Sequence, residues 1–137
     1  MTLRRLAAYF SVAVALCCCS SVRAQQSREY DVFIPIAKYI GAGDAERLSA
    51  WFDDNLEIAI LSNTGDYSRN QAKQIIKSFF DSYSPRGFDI THTAGRANMK
   101  YALGRLNAGG EMFEITIFVT LKGNEYKIQQ LKIVREE

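Results

Sequence analysis

The sequence predicts an α+β fold, with helices first and an antiparallel sheet after them. Three observations lead there. Apolar residues recur at helical spacing in residues 33–52 and again in 72–83. Ser68 stands three residues ahead of Gln71, the pattern of a capping box that opens a helix. From Phe88 onward the chain breaks into four strand-like runs separated by short turns.

The first helix is expected from Phe33, with Ile36, Ala37 and Ile40 on one face. Pro35 lies where a helix tolerates proline, and Gly41 and Gly43 close the helix. Asp44 is the N-cap of a second, shorter helix over 45–52, which buries Leu48, Trp51 and Phe52. Asp53-Asp54-Asn55 reads as a turn and 56–61 as a strand. Residues 62–66 read as a loop. The capping box then opens a helix with Ala72, Ile75, Ile76, Phe79, Phe80 and Tyr83 in one stripe, stopped by Pro85 and Gly87. Residues 88–95, 100–106, 112–121 and 126–134 are the remaining strands. The order is α-α-β-α-β-β-β-β.

The N-terminus carries an address. Arg4 and Arg5 precede an uncharged apolar run, Leu6 to Cys19, and then Val22-Arg23-Ala24. This is the layout of a signal peptide, with cleavage expected before Gln25. The predicted organisation is therefore a signal peptide over 1–24 and one domain over 25–137, in a protein that is exported to the periplasm or secreted. The apolar run is shorter than the ~20 residues a membrane-spanning helix needs. Leu16-Cys17-Cys18-Cys19 resembles a lipoprotein box only loosely, since the residues ahead of a lipidated cysteine are usually small; anchoring at Cys19 is the lesser alternative.

Cleavage changes the chemistry available. All three cysteines leave, so the mature domain has neither a disulfide nor a thiol nucleophile. The chain has 17 Lys and Arg; losing Arg4, Arg5 and Arg23 leaves 14 against 15 Asp and Glu. A nucleic-acid binder needs a basic excess on the domain itself, and nucleic acid is not an expected partner.

The element order, with Gly43-Asp44-Ala45 ahead of a short helix ending in Trp51-Phe52 and followed by Asp53-Asp54, resembles the nuclear-transport-factor-2-like superfamily. The stretches 34–52, 70–80, 90–101 and 126–134 look most like an uncharacterised family of small exported proteins from Bacteroidetes. The resemblance implies a cone: a curved antiparallel sheet wrapped around three helices, with a cavity at the wide end. It implies no activity, because isomerases, dehydratases, transport factors and accessory domains share that fold.

The candidate sites are few. His92, the only histidine, shares a face with Phe88, Ile90 and Ala94 if the strand alternates. On a cavity wall it could serve as a general acid or base, but no orienting partner is evident. The isomerases of the superfamily need an inward carboxylate. Glu57, Asp89 and Glu114 alternate away from the apolar positions, and Glu111 falls at a hairpin. Tyr39, Trp51, His92 and Tyr101 are ligand-binding candidates. Arg96, Lys100 and Arg105 form a basic patch, read either as an anion site or as a solvated strand edge. Asp53-Asp54 is read as turn capping rather than a metal pair, and no metal or cofactor is expected. Phe118 lies among Glu114, Thr116 and Thr120 on the polar face of its strand, which marks a covered outer surface and an interface candidate.

These features point to a non-catalytic ligand-binding or protein-interaction module of the cell envelope. The ligand would be a small apolar or amphipathic molecule, or the partner a second copy across the outer sheet face. The alternatives are an isomerase- or dehydratase-like enzyme with His92 in a cavity, and a purely structural homodimeric module.

Overall fold

The computed structural model describes residues 29–137. The chain divides into two units, Met1–Asp31 and Val32–Glu137, and every element among the described residues belongs to the second. The expected signal segment, its cleavage before Gln25 and Cys19 lie outside the described residues.

Helix α1 (Phe33–Ala42) buries Phe33, Ile36 and Ile40. It ends in a Schellman motif: the Gly43 N–H donates to the Ile40 carbonyl at 3.1 Å and the Asp44 N–H to the Tyr39 carbonyl at 2.9 Å. Gly43 takes φ +67°, and a Cβ there would stand 3.1 Å from Pro85 Cδ, so glycine is needed twice over. Asp44 caps α2 (Ala45–Ser49) by accepting the Arg47 N–H.

Helix α2 is shorter than its apolar residues suggest. Strand β1 (Phe52–Ile60) starts at Phe52, so the Asp53-Asp54-Asn55 triplet is strand and not turn. The chain reverses at Leu61 and Ser62 into β2 (Asn63–Ser68), which the sequence read as mostly loop. Asn63-Thr64-Gly65-Asp66 offers no apolar alternation to read, because β2 is a largely exposed edge strand held by its ladder to β1. Helix α3 (Arg69–Ser82) opens on the expected capping box, with Ser68 and Gln71 each bonded to the other's backbone N–H at 3.3 Å. Its buried face is Ala72, Ile76, Phe79 and Phe80.

The rest is sheet: β3 (Pro85–Arg96), β4 (Met99–Ala108), β5 (Glu111–Lys122) and β6 (Glu125–Arg135). The spatial order is β2-β1-β6-β5-β4-β3. All neighbours run antiparallel except β1 and β6, which are parallel because the chain returns to β1 only after building β3, β4 and β5. The sheet is curved and does not close. Residues 53–56 of β1 face a single residue of β6, Gln129, and smaller irregularities interrupt β3 and the β5–β6 ladder, which are the places where a sheet bends. Among the described residues the α+β class with three helices is as expected, with six strands where the sequence suggested five.

Alternation sorts the two faces of the sheet. Phe113, Ile115, Ile117 and Val119 of β5 are buried, as are Ala102, Leu106 and Ala108 of β4 and Ile128, Leu131 and Ile133 of β6. The Phe113 ring meets Phe79 of α3 edge-on at 5.2 Å, which identifies this side as the helix-facing one. Gly104 belongs to the same face and leaves room for the Phe88 ring of β3. Phe33, Ile36, Ile40, Leu48 and Ile76 complete the core from the helices, each at 1% exposure or less.

Candidate functional site

Strand β3 decides where the histidine goes. Phe88 pairs with Leu106 and Ile90 with Gly104, both on the helix-facing side. Thr91 is then an extra residue: the next pairs are His92 with Leu103 and Thr93 with Ala102. This bulge shifts the alternation by one. The expectation that His92 shares a face with Phe88 and Ile90 is therefore corrected. His92 is exposed on the side away from the helices, although it does keep Ala94 as a face-mate. The Thr91 hydroxyl donates to the Leu103 carbonyl at 3.3 Å across the bulge.

On that outer side three rings form a row across three strands. His92 lies 5.9 Å from Tyr101 of β4, and Tyr101 lies 5.5 Å from Phe118 of β5, centroid to centroid. Both spacings fall in the range of attractive aromatic pairs. Tyr101 and Phe118 are directly opposite in the ladder, and Phe118 is in turn opposite Gln130 of β6. Gln130 donates its amide to Glu57 of β1 at 3.0 Å, so the row ends in a polar pair. Leu103 and Met99 flank Tyr101 along β4, and Met99 is 50% exposed. Sequence reasoning singled out three members of this row but not their union, because cross-strand neighbours are set by register.

The charges around the row are mixed. Arg105 sits opposite Asp89 and Glu114 in its two ladders, and Lys132 is opposite Thr116. Arg105 also makes a two-bond fork with the Glu136 carboxylate, each bond 2.9 Å. That pairing raises the guanidinium's pKa and lowers the carboxyl's. Glu57, Asp89 and Glu114 all lie on the outer side, so none reaches the core as a base.

The basic patch divides. Arg96 is exposed at the β3–β4 turn, while Lys100 has the parity of Ala102 and Leu106 and is buried at 5% exposure. Its ammonium lies 5.0 Å over the Tyr126 ring. Arg105 is five residues further along β4, about 16 Å at ~3.3 Å per residue. The three cations do not share a surface.

Asp53 is the buried acid. Its carboxylate pairs with the Lys122 ammonium, accepts from the Gln129 amide and accepts the Asp54 N–H at 2.8 Å. Burial pushes its pKa up, but Lys122, the Asp54 N–H and Gln129 together outweigh that and hold it below its ordinary value. Asp53 thus fastens the irregular part of β1 to β6 and to the end of β5. Among the described residues no three of His, Cys, Asp and Glu come together to hold a metal.

The remaining ligand candidates separate. Tyr39 is half-buried on α1. Trp51 borders a cleft of about 420 Å³ with Ala50, Glu125, Tyr126 and Lys127. Of the four ligand candidates, the structure brings together only His92 and Tyr101. Among the described residues no helix is long and apolar enough to cross a membrane.

No curated protein matches the chain. A family protein from Bacteroides ovatus superposes with a TM-score of 0.73 at 19% identity, covering 76% of this chain and 94% of that one. One from Bacteroides fragilis gives 0.72 at 21% identity, covering 75% and 97%. A putative dehydratase of the NTF2-like family from Streptomyces avermitilis gives 0.56 at 8% identity, covering 75% and 90%. These likenesses carry the fold alone. Residues 33–134 match the family described as a domain of unknown function, DUF4783, and the chain belongs to that family, on an NTF2-like fold.

Proposed function

We propose that this chain is an exported, non-catalytic interaction module of the cell envelope whose outer sheet face pairs with a second copy of itself. The observation that carries the reading is the ring row of His92, Tyr101 and Phe118 on the face turned away from the helices. Half-exposed aromatic side chains with two rotatable angles are the kind that anchor protein interfaces at small entropic cost. The surrounding charges carry both signs, Arg105 and Lys132 against Asp89 and Glu114, so a twofold-related copy can set unlike charges against each other. Export rests on the signal-like N-terminus, with cleavage before Gln25.

The enzyme reading finds less support, since His92 stands exposed with Tyr101 as its ring neighbour and Glu57, Asp89 and Glu114 lie on the outer side. A ligand inside the cone draws no support from the core, where the large helix-facing side chains are buried.

Sedimentation equilibrium of the purified protein tests the pairing. A dimer with a dissociation constant of roughly 1–100 μM is expected, shifted at least about tenfold toward monomer by Phe118→Asp or Tyr101→Asp. A protein that stays monomeric up to about 1 mM, or a dimer indifferent to both substitutions, refutes it.

A further inference from the structure

We infer that the cleft between Trp51 and Tyr126 is a binding site for a neutral saccharide ring. It lies at the turn between β5 and β6, and the ring row does not contribute to it. Its volume of about 420 Å³ falls in the range of small-molecule sites. Two aromatic residues border it. The Trp51 carbonyl accepts the Ile128 N–H at 2.7 Å, which ties the tryptophan's backbone to the start of β6. The Tyr126 hydroxyl donates to the Ala97 carbonyl at 2.5 Å, so its ring orientation is fixed before any ligand arrives.

The other groups choose the ligand's polarity. Lys127 donates to the Ala50 carbonyl at 3.2 Å and pairs loosely with Glu125 at 3.7 Å. One acid and one base that already balance each other give a charged ligand little net attraction. A cation would meet the ammonium of Lys127, and an anion would meet Glu125. A wholly apolar ligand would strip water from Glu125, Lys127 and the Ala50 carbonyl without replacing its hydrogen bonds. A ring with an apolar face and hydroxyl groups around its edge satisfies every surface: its face lies on the aromatic side chains, and its hydroxyls donate to Glu125 and Ala50 and accept from Lys127. That is the chemistry of a sugar.

Trp51 is the only tryptophan in the chain, so its fluorescence reports on this cleft alone. The purified full chain is titrated with N,N′-diacetylchitobiose and with cellobiose, using phenyl phosphate and tetramethylammonium as charged controls. A saturable blue shift is expected with at least one disaccharide, with a dissociation constant on the order of 1 mM, and with no saturation by the controls. Tyr126→Ala is expected to weaken binding at least about tenfold. Glu125→Gln and Lys127→Met change exposed or rim groups, keep the fold testable, and are each expected to weaken it about three- to tenfold. The inference is overturned if neither disaccharide saturates the signal, if a charged control binds as tightly as the sugars, or if binding is unchanged in Glu125→Gln and Lys127→Met alike.

Discussion

Gly104 is the position at which one added methyl group tests the packing of the sheet. A Cβ on Gly104 would lie 2.5 Å from Phe88 Cε2, closer still to Cζ, and 2.9 Å from the Asp89 carbonyl oxygen. Carbon atoms prefer separations of about 3.5–4.0 Å, so the ring must move by more than about 1 Å. Moving the ring alone does not relieve the site, because the Asp89 carbonyl is backbone in the neighbouring strand. Gly104→Ala is therefore expected to cost about 1–3 kcal/mol as overpacking. A small gain from replacing glycine inside a strand, about 0.5–1 kcal/mol, works against this. The net loss, about 0.5–2 kcal/mol, lowers the melting temperature by roughly 2–10 °C for a domain of this size. Urea unfolding followed by circular dichroism reads the change as a lower midpoint with an unchanged slope. The decisive measurement is the cycle with Phe88→Ala. Once the ring is gone, Gly104→Ala should cost clearly less, with only the Asp89 carbonyl left to resist it, giving a coupling of about 1 kcal/mol or more between the two positions. If Gly104→Ala costs the same with and without the ring, or costs nothing in the parent, then Phe88 does not rest on Gly104. The assignment of Phe88 to the helix-facing side, and of His92 to the other, would fall with it.

Two further outcomes follow from the same structure. Asp53 has a folded pKa below its unfolded value near 3.9, so its stabilisation is complete above that value and disappears as the pH falls through the folded one. Asp53→Asn is thus expected to destabilise the protein by about 1–3 kcal/mol at pH 7 and to narrow its gap from the parent at acid pH, as read by midpoints at pH 7 and pH 2.5. A gap that stays constant across that range would show that the Asp53 charge contributes nothing. Ser68→Ala removes the capping oxygen of α3 and should cost about 1 kcal/mol, with amide exchange quickening first at Gln71. Unchanged exchange at Gln71 would mean the cap is not formed in solution.

The Ser68–Gln71 box and the stripe from Ala72 to Phe80 were legible because capping and helical period are local. The alternation of β5 was legible because one side is buried and the other is not. Strand β2 was not legible, since an exposed edge strand carries no apolar signature. Asp53-Asp54-Asn55 carries turn residues but is held in strand by Lys122 and Gln129, distant partners that override local preference. Tyr126 and Lys127 gave no signal at all, because they border a cleft only once the β5–β6 turn lies beside Trp51.

The sequence by itself determined the α+β class, the position of the first and third helices, the outward acids and the single histidine. Each of these depends on a period or a composition that neighbouring residues share. Only the tertiary structure decided what His92 faces. Strict alternation places it with Phe88 and Ile90, and one extra residue, Thr91, turns it to the opposite side beside Tyr101 and Phe118. A bulge is defined by the strand across from it, and register between strands is a property of the assembled sheet rather than of any one segment.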